Sequence, residues 1–163
     1  MHLSPSGGAP TDDAPSDEQR VETAAHGLLR DLAVLTRALF RAGEYGLTRS
    51  EVSVLDALDG APLRVTELAA RTGMVQPRVT VVLQKLADRE LVTRRRCTTD
   101  RRALETTLTP AGRHLLEQGR QRMAAALLEG LRTTTVDDCE HAVSAARRSI
   151  GTLAHAMQPP EAT

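Results

Sequence analysis

Thr66-Glu67-Leu68-Ala69-Ala70-Arg71-Thr72-Gly73-Met74-Val75-Gln76-Pro77-Arg78-Val79-Thr80-Val81-Val82-Leu83-Gln84-Lys85-Leu86-Ala87-Asp88-Arg89 is the stretch that decides the fold. Thr66 reads as the cap of a short helix, Glu67 to Arg71, with Leu68 and Ala69 turned inward. Thr72-Gly73-Met74 reads as a tight turn. A second helix, Gln76 to Arg89, follows, with Val79, Val82, Leu83 and Leu86 on its inner face. Two short helices joined by a glycine-containing turn predict a helix-turn-helix.

The residues that follow change period. Leu91-Val92-Thr93-Arg94-Arg95-Arg96 is β-like, and Ala103 to Thr109 alternates and is rich in threonine. The polar, basic segment from Cys97 to Arg102 lies between them. A hairpin placed directly after the second helix of the motif is a wing, so the segment Leu63 to Thr109 predicts a winged helix-turn-helix.

Upstream, Thr48-Arg49-Ser50-Glu51 has the spacing of a capping box, and Val52, Leu55 and Leu58 continue it as a helix. That helix stops near Asp59-Gly60, with Pro62 just beyond. Farther upstream, Ser16 or Asp17 caps a long helix reaching about Gly43. Its stripe runs Val21, Ala25, Leu28, Leu32, Leu35 and Leu39, widened by Leu29 and Phe40. So broad a face predicts contact with a second chain. Downstream, Thr109-Pro110 opens a helix to about Leu131. Thr135 caps a last one, striped by Val136, Cys139, Val143, Ala146, Ile150, Leu153 and Met157.

The expected fold class is therefore mainly α with a small β-hairpin wing. Residues 1–16 form a disordered acidic tail, 17–46 an N-terminal helix, 47–109 the winged head, 110–157 the C-terminal helices and 158–163 a loose tail.

Composition narrows the function. The 163 residues include one Phe, one Tyr and no Trp, so the core must come from Leu, Val and Ala. This excludes an aromatic stacking platform for single-stranded nucleic acid. The net charge is zero, but its distribution is uneven. Ten basic and four acidic residues between Arg64 and Arg102 give that segment +6, whereas residues 1–18 stand at −4. A basic middle in a neutral chain is the footprint of a phosphate-binding surface. Charge alone does not separate it from a solvated charged face. Two cysteines make no disulfide framework. The acidic N-terminus is no secretory signal, and no apolar run approaches a membrane span. A soluble, cytoplasmic protein is expected. No Gly-rich phosphate loop, His-Glu-x-x-His or Gly-x-Ser-x-Gly supports an enzyme, and no cofactor or metal site is expected.

In order and in motif, the chain resembles the MarR family of bacterial transcriptional regulators. The matching residues are Leu47-Thr48, Leu55 and Leu58, Val65-Thr66-Glu67-Leu68-Ala69, Gln76-Pro77-Arg78-Val79-Thr80, Leu83, Leu86, Leu91 and Val92. Asp100-Arg101-Arg102 and Leu108-Thr109-Pro110-Ala111-Gly112 are the most specific. One departure stands out. The family places Ser or Asp as cap of the recognition helix, and this chain has Val75, which cannot accept the orphan amide bonds.

The resemblance implies a homodimer of intertwined terminal helices, here through Leu28, Leu32, Leu127, Ile150 and Leu153. Its two heads would read successive major grooves of a pseudo-palindromic operator, most often as a repressor. A small phenolic or lipophilic effector would enter the cleft between head and dimer region and release the DNA. Leu28, Leu32, Leu35, Leu58 and Met74 are candidates to line that cleft, or to be core.

In the recognition helix the outward residues are Gln76, Pro77, Arg78, Thr80, Val81, Gln84 and Lys85. Arg78 suits guanine, Gln76 or Gln84 adenine, and Pro77 or Val81 a thymine methyl. Thr66 and Lys85 suit phosphate. In the wing, Arg102 is expected in the minor groove with Asp100 holding it, beside Arg101. Arg94, Arg95 and Arg96 alternate faces in a strand, so only some reach phosphate. Two alternatives remain: a winged-helix protein-interaction module, and a redox- or metal-responsive regulator. The latter would use Cys97 among its arginines, or His26, His114, Cys139, His141 and His155.

Overall fold

A computed structural model describes residues 16–96, 104–133 and 139–157. The elements run α1 (Asp17–Gly43), α2 (Arg49–Leu58), α3 (Val65–Thr72), α4 (Gln76–Asp88), β1 (Val92–Arg96), β2 (Leu104–Leu108), α5 (Pro110–Arg132) and α6 (Cys139–Ala156). The mainly helical class with one hairpin is as expected. The acidic tail, Thr135 and the terminal Pro159-Pro160 segment lie outside the described residues.

The chain divides at Ala38. Among the described residues the first unit holds most of α1, as far as Ala38, started by a reciprocal cap: the Ser16 amide donates to Gln19 Oε1 at 2.8 Å, and the Gln19 amide donates to Ser16 Oγ at 3.2 Å.

The second unit holds the head. Its core is Tyr45, Val54, Leu55, Leu58, Leu63, Leu68, Val79, Val82, Leu83, Leu86, Leu91, Val92, Leu108 and Leu116. The α2 cap is as predicted: the Thr48 amide donates to Glu51 Oε2 at 2.7 Å, and the Glu51 amide donates to Thr48 Oγ1 at 3.3 Å.

The start of α3 corrects the expectation. The cap residue is Arg64, not Thr66, which lies within the first turn. The reason is a short bridge absent from the sequence pattern. Leu63 pairs with Thr106 of β2 through two backbone bonds of 3.0 and 2.9 Å, which fixes the chain up to Leu63. Glu67 then reaches back to accept from the Arg64 amide at 2.7 Å, and the helix starts early. Gly73 ends α3 at φ +67, a left-handed conformation that glycine adopts without a Cβ penalty. This creates the sharp turn into α4.

The strands pair antiparallel, Val92 with Leu108 through Arg96 with Leu104. Of the residues considered for a ligand cleft, Leu58 is buried and Met74 packs against the head core. Leu58 is thus a core residue, whereas Met74 is half-buried at the edge of the core.

Candidate nucleic-acid interface

The amphipathic split of α4 creates the site. Val79, Val82, Leu83 and Leu86 are buried and hold the helix to the head. Gln76, Pro77, Arg78, Thr80, Val81, Gln84 and Lys85 are all exposed on the other side. Burial of one face thus presents the opposite one to solvent as a rigid, projecting surface.

Three of these side chains are already engaged. Arg78 Nη2 donates to Ser50 Oγ at 2.9 Å, and Gln84 Nε2 donates to Asp88 Oδ1 at 2.8 Å. Thr80 Oγ1 donates to the carbonyl of Gln76 at 3.0 Å. Reading a base with Arg78 or Gln84 therefore requires exchanging an intramolecular partner for a DNA one. Ser50 was not among the sequence candidates, because nothing in the local pattern marks a residue 28 positions away from Arg78 as its neighbour.

A groove of about 460 Å³ runs between the first turn of α2 and α4, lined by Ser50, Pro77, Arg78, Val81 and Lys85 among others. A second, of about 690 Å³, lies at the start of α4, lined by Ala69, Met74, Val75, Gln76, Pro77 and Thr80. Thr66 is exposed on α3. The expected capping fault is real: Val75 is the cap residue of α4 and makes no side-chain cap bond.

Arg94, Arg95 and Arg96 of β1 are all exposed. Alternation thus buries none of the three, although Thr106, the partner of Arg94 on β2, is buried. Asp100, Arg101, Arg102 and Cys97 lie outside the described residues.

The base of the hairpin is tied to both flanking helices. Glu90 turns at φ +57 after α4. Its carbonyl accepts from Thr109 Oγ1 at 2.7 Å, and the Leu91 carbonyl accepts from the Thr109 amide at 3.1 Å. Thr109 Oγ1 also accepts from the Gly112 amide at 3.0 Å, starting α5. A Cβ on Gly112 would fall onto the carbonyl oxygen of Leu91. That close approach is the physical content of the Leu-Thr-x-x-Gly motif: it ties the end of α4, the hairpin and α5 together.

Where α5 meets the end of α2, Arg120 of α5 bonds Asp59 at 2.5 Å and Asp56 at 2.6 Å, and Arg113 reaches Asp59 at 3.3 Å. The hydrogen bond with Asp59, then that with Asp56, pushes the Arg120 pKa above the ordinary arginine value. Tyr45 packs between Gly43 and Gly119, and its hydroxyl lies 3.1 Å from Met123 Sδ.

The candidate dimerisation residues are only partly covered: Leu28, Ile150 and Leu153 are exposed, and Leu32 and Leu127 are half-buried. Among the described residues, no group of three or more His, Cys, Asp or Glu is placed to hold a metal. No helix among them is long and apolar enough to cross a membrane.

Comparison with known proteins gives this arrangement a context. Residues 45–103 match the model of the MarR family. No curated protein sequence matches the chain. Solved structures do. The MarR family protein Rv2887 of Mycobacterium tuberculosis, in complex with p-aminosalicylic acid, is 28% identical, with a TM-score of 0.61 over 80% of this chain and 97% of that one. The transcriptional repressor CouR, bound to a 23-mer DNA duplex, is 25% identical, with a TM-score of 0.62 over 85% and 99%. A transcriptional regulator protein from Pseudomonas aeruginosa is also 25% identical, with a TM-score of 0.68 over 89% and 100%. In its winged head the chain matches the MarR family, and over most of its length it shares the fold of solved MarR-family and other transcriptional regulators.

Proposed function

We propose that this chain is a sequence-specific double-stranded DNA-binding repressor. It acts as a homodimer on a pseudo-palindromic operator and is released by a small phenolic or lipophilic effector. The observation that carries the reading is the α4 face: seven exposed residues, Gln76 to Lys85, on a helix anchored by a buried underside and followed by three exposed arginines. A projecting helix of this kind fits the major groove, and the arginines beside it fit phosphate. CouR, a repressor, has been solved on DNA, and Rv2887 with an aminosalicylate, which supports both partner classes.

In this mechanism Lys85 and Thr66 meet phosphates while Gln76, Arg78 and Gln84 read base edges. Arg102 enters the minor groove, with Asp100 and Arg101 beside it. Leu28, Leu32, Leu127, Ile150 and Leu153 form the interface between chains. That interface sets the spacing of the two heads and gives the effector a lever on it.

A fluorescence-polarisation titration with the DNA upstream of the protein's own coding region tests this. Expected is saturable binding of one duplex, weaker on scrambled sequence and weakened by salicylate-like ligands. Arg102→Ala should weaken binding and lower the salt slope by about one. Binding indifferent to sequence, or none at low salt, would favour a protein-interaction module instead.

A further inference from the structure

The cap of α4 is occupied by the wrong kind of residue for a cap, and it is not hidden. Val75 is extended, at φ −70 and ψ 145, and its carbonyl accepts from the amides of Arg78 and Val79 as a cap carbonyl should. Its side chain makes no bond and is 70% exposed. Ser, Thr, Asn or Asp at this position would stabilise the helix. A branched apolar side chain in solvent contributes neither a cap nor core packing.

Val75 is not isolated. It lines one groove with Pro77, and Pro77 lines the adjoining groove with Val81, which is 57% exposed. Pro77 is thus common to both grooves, with exposed Val75 on one side of it and exposed Val81 on the other. Arg78 and Lys85 also line the groove that holds Val81. Cations suit the phosphates bordering a major groove. Within that groove, the one apolar group that a base pair presents is the 5-methyl of thymine.

We infer that Val75, together with Pro77 and Val81, is a thymine-methyl reader, so that capping stability at this position has been exchanged for base discrimination. This rests on the DNA-binding reading above. It adds Val75 to the interface and assigns the contacted base. It also makes an unusual prediction: the substitution that improves the helix should impair recognition.

The test uses the full chain and a preferred operator selected from random duplexes. Affinity is measured for that operator and for copies carrying deoxyuridine in place of one thymine in each half-site, which removes only the methyl. Loss of one buried methyl contact is worth about fourfold in affinity, so loss in both half-sites should weaken wild-type binding on the order of fifteenfold. Val75→Ser should melt at a higher temperature than wild type. It should bind the thymine operator about as weakly as wild type binds the uracil one, and be insensitive to the replacement. Val75→Ala should show the same loss of discrimination without the gain in melting temperature, which separates reading from any distortion by serine. Wild type that ignores every thymine-to-uracil change overturns the inference, as does a Val75→Ser variant with full affinity and discrimination, while DNA binding itself stands. A wild-type chain that selects no duplex overturns the DNA-binding proposal and this inference with it.

Discussion

Helices α4 and α6 are built from the same residue types with the same kind of stripe, and they end in opposite states. In α4, Val79, Leu83 and Leu86 are fully buried beneath α2, α3 and the hairpin base. In α6 no residue is buried, and Ile150 and Leu153 remain 44% and 45% exposed. An amphipathic pattern states that a helix has a face to cover; it does not state what covers it. For α4 the cover lies within the chain. For α6, among the described residues, it does not, and the proposed second chain would supply it.

The largest expected effect tests that contrast directly. Leu83→Ala should lower the unfolding free energy by about 3 kcal/mol, at every protein concentration, in a urea titration with unchanged m. Leu153→Ala should cost the chain itself less than about 1 kcal/mol and add a loss that varies with protein concentration, as expected when the cover is another molecule. Equal, concentration-independent losses at the two positions would break the comparison.

Within α5 the contrast becomes one of backbone approach. Gly112 stands against the Leu91 carbonyl, whereas a Cβ on Gly130 would meet nothing within 4 Å. Gly112→Ala should destabilise by about 2 kcal/mol, since a carbonyl of the backbone cannot move aside as a flexible side chain can. Gly130→Ala should stabilise by roughly 0.5–1 kcal/mol through helix propensity and chain entropy. Thermal melts of the two variants should shift in opposite directions. A shift in the same direction would mean that the α5–hairpin junction is looser than its geometry implies.

The same distinction explains how much was legible beforehand. Local chemistry was readable: the Thr48–Glu51 box, the Thr109 cap, the inward faces of α4 and the faulty cap at Val75 all depend on residues within one or two turns of each other. What was missed depends on distant residues. Tyr45 showed no periodic pattern, yet it is buried because Gly119, more than 70 positions away, leaves room for its ring. Thr66 failed as a cap because Thr106 pairs with Leu63 and moves the helix start. Ser50 became a partner of Arg78 because α2 packs on α4. In the site, residue types and the outward face could be read, whereas the prior engagement of Arg78 and Gln84 could not.

The smallest expected effect lies where the head meets α5. Asp56 and Asp59 sit at the C-terminal end of α2, where the helix dipole disfavours anions. Arg120 bridges both, at 41% side-chain exposure, so solvent screens much of the attraction. Arg120→Gln should therefore cost no more than about 1 kcal/mol at low salt. The cost should shrink toward zero near 1 M salt, where the screening length is about 3 Å. A larger loss that persists in salt would show that the guanidinium acts through packing rather than charge. The junction would then share the character of the α4 core, and the self-covered part of the chain, which already includes Leu116 of α5, would extend along α5 to Arg120.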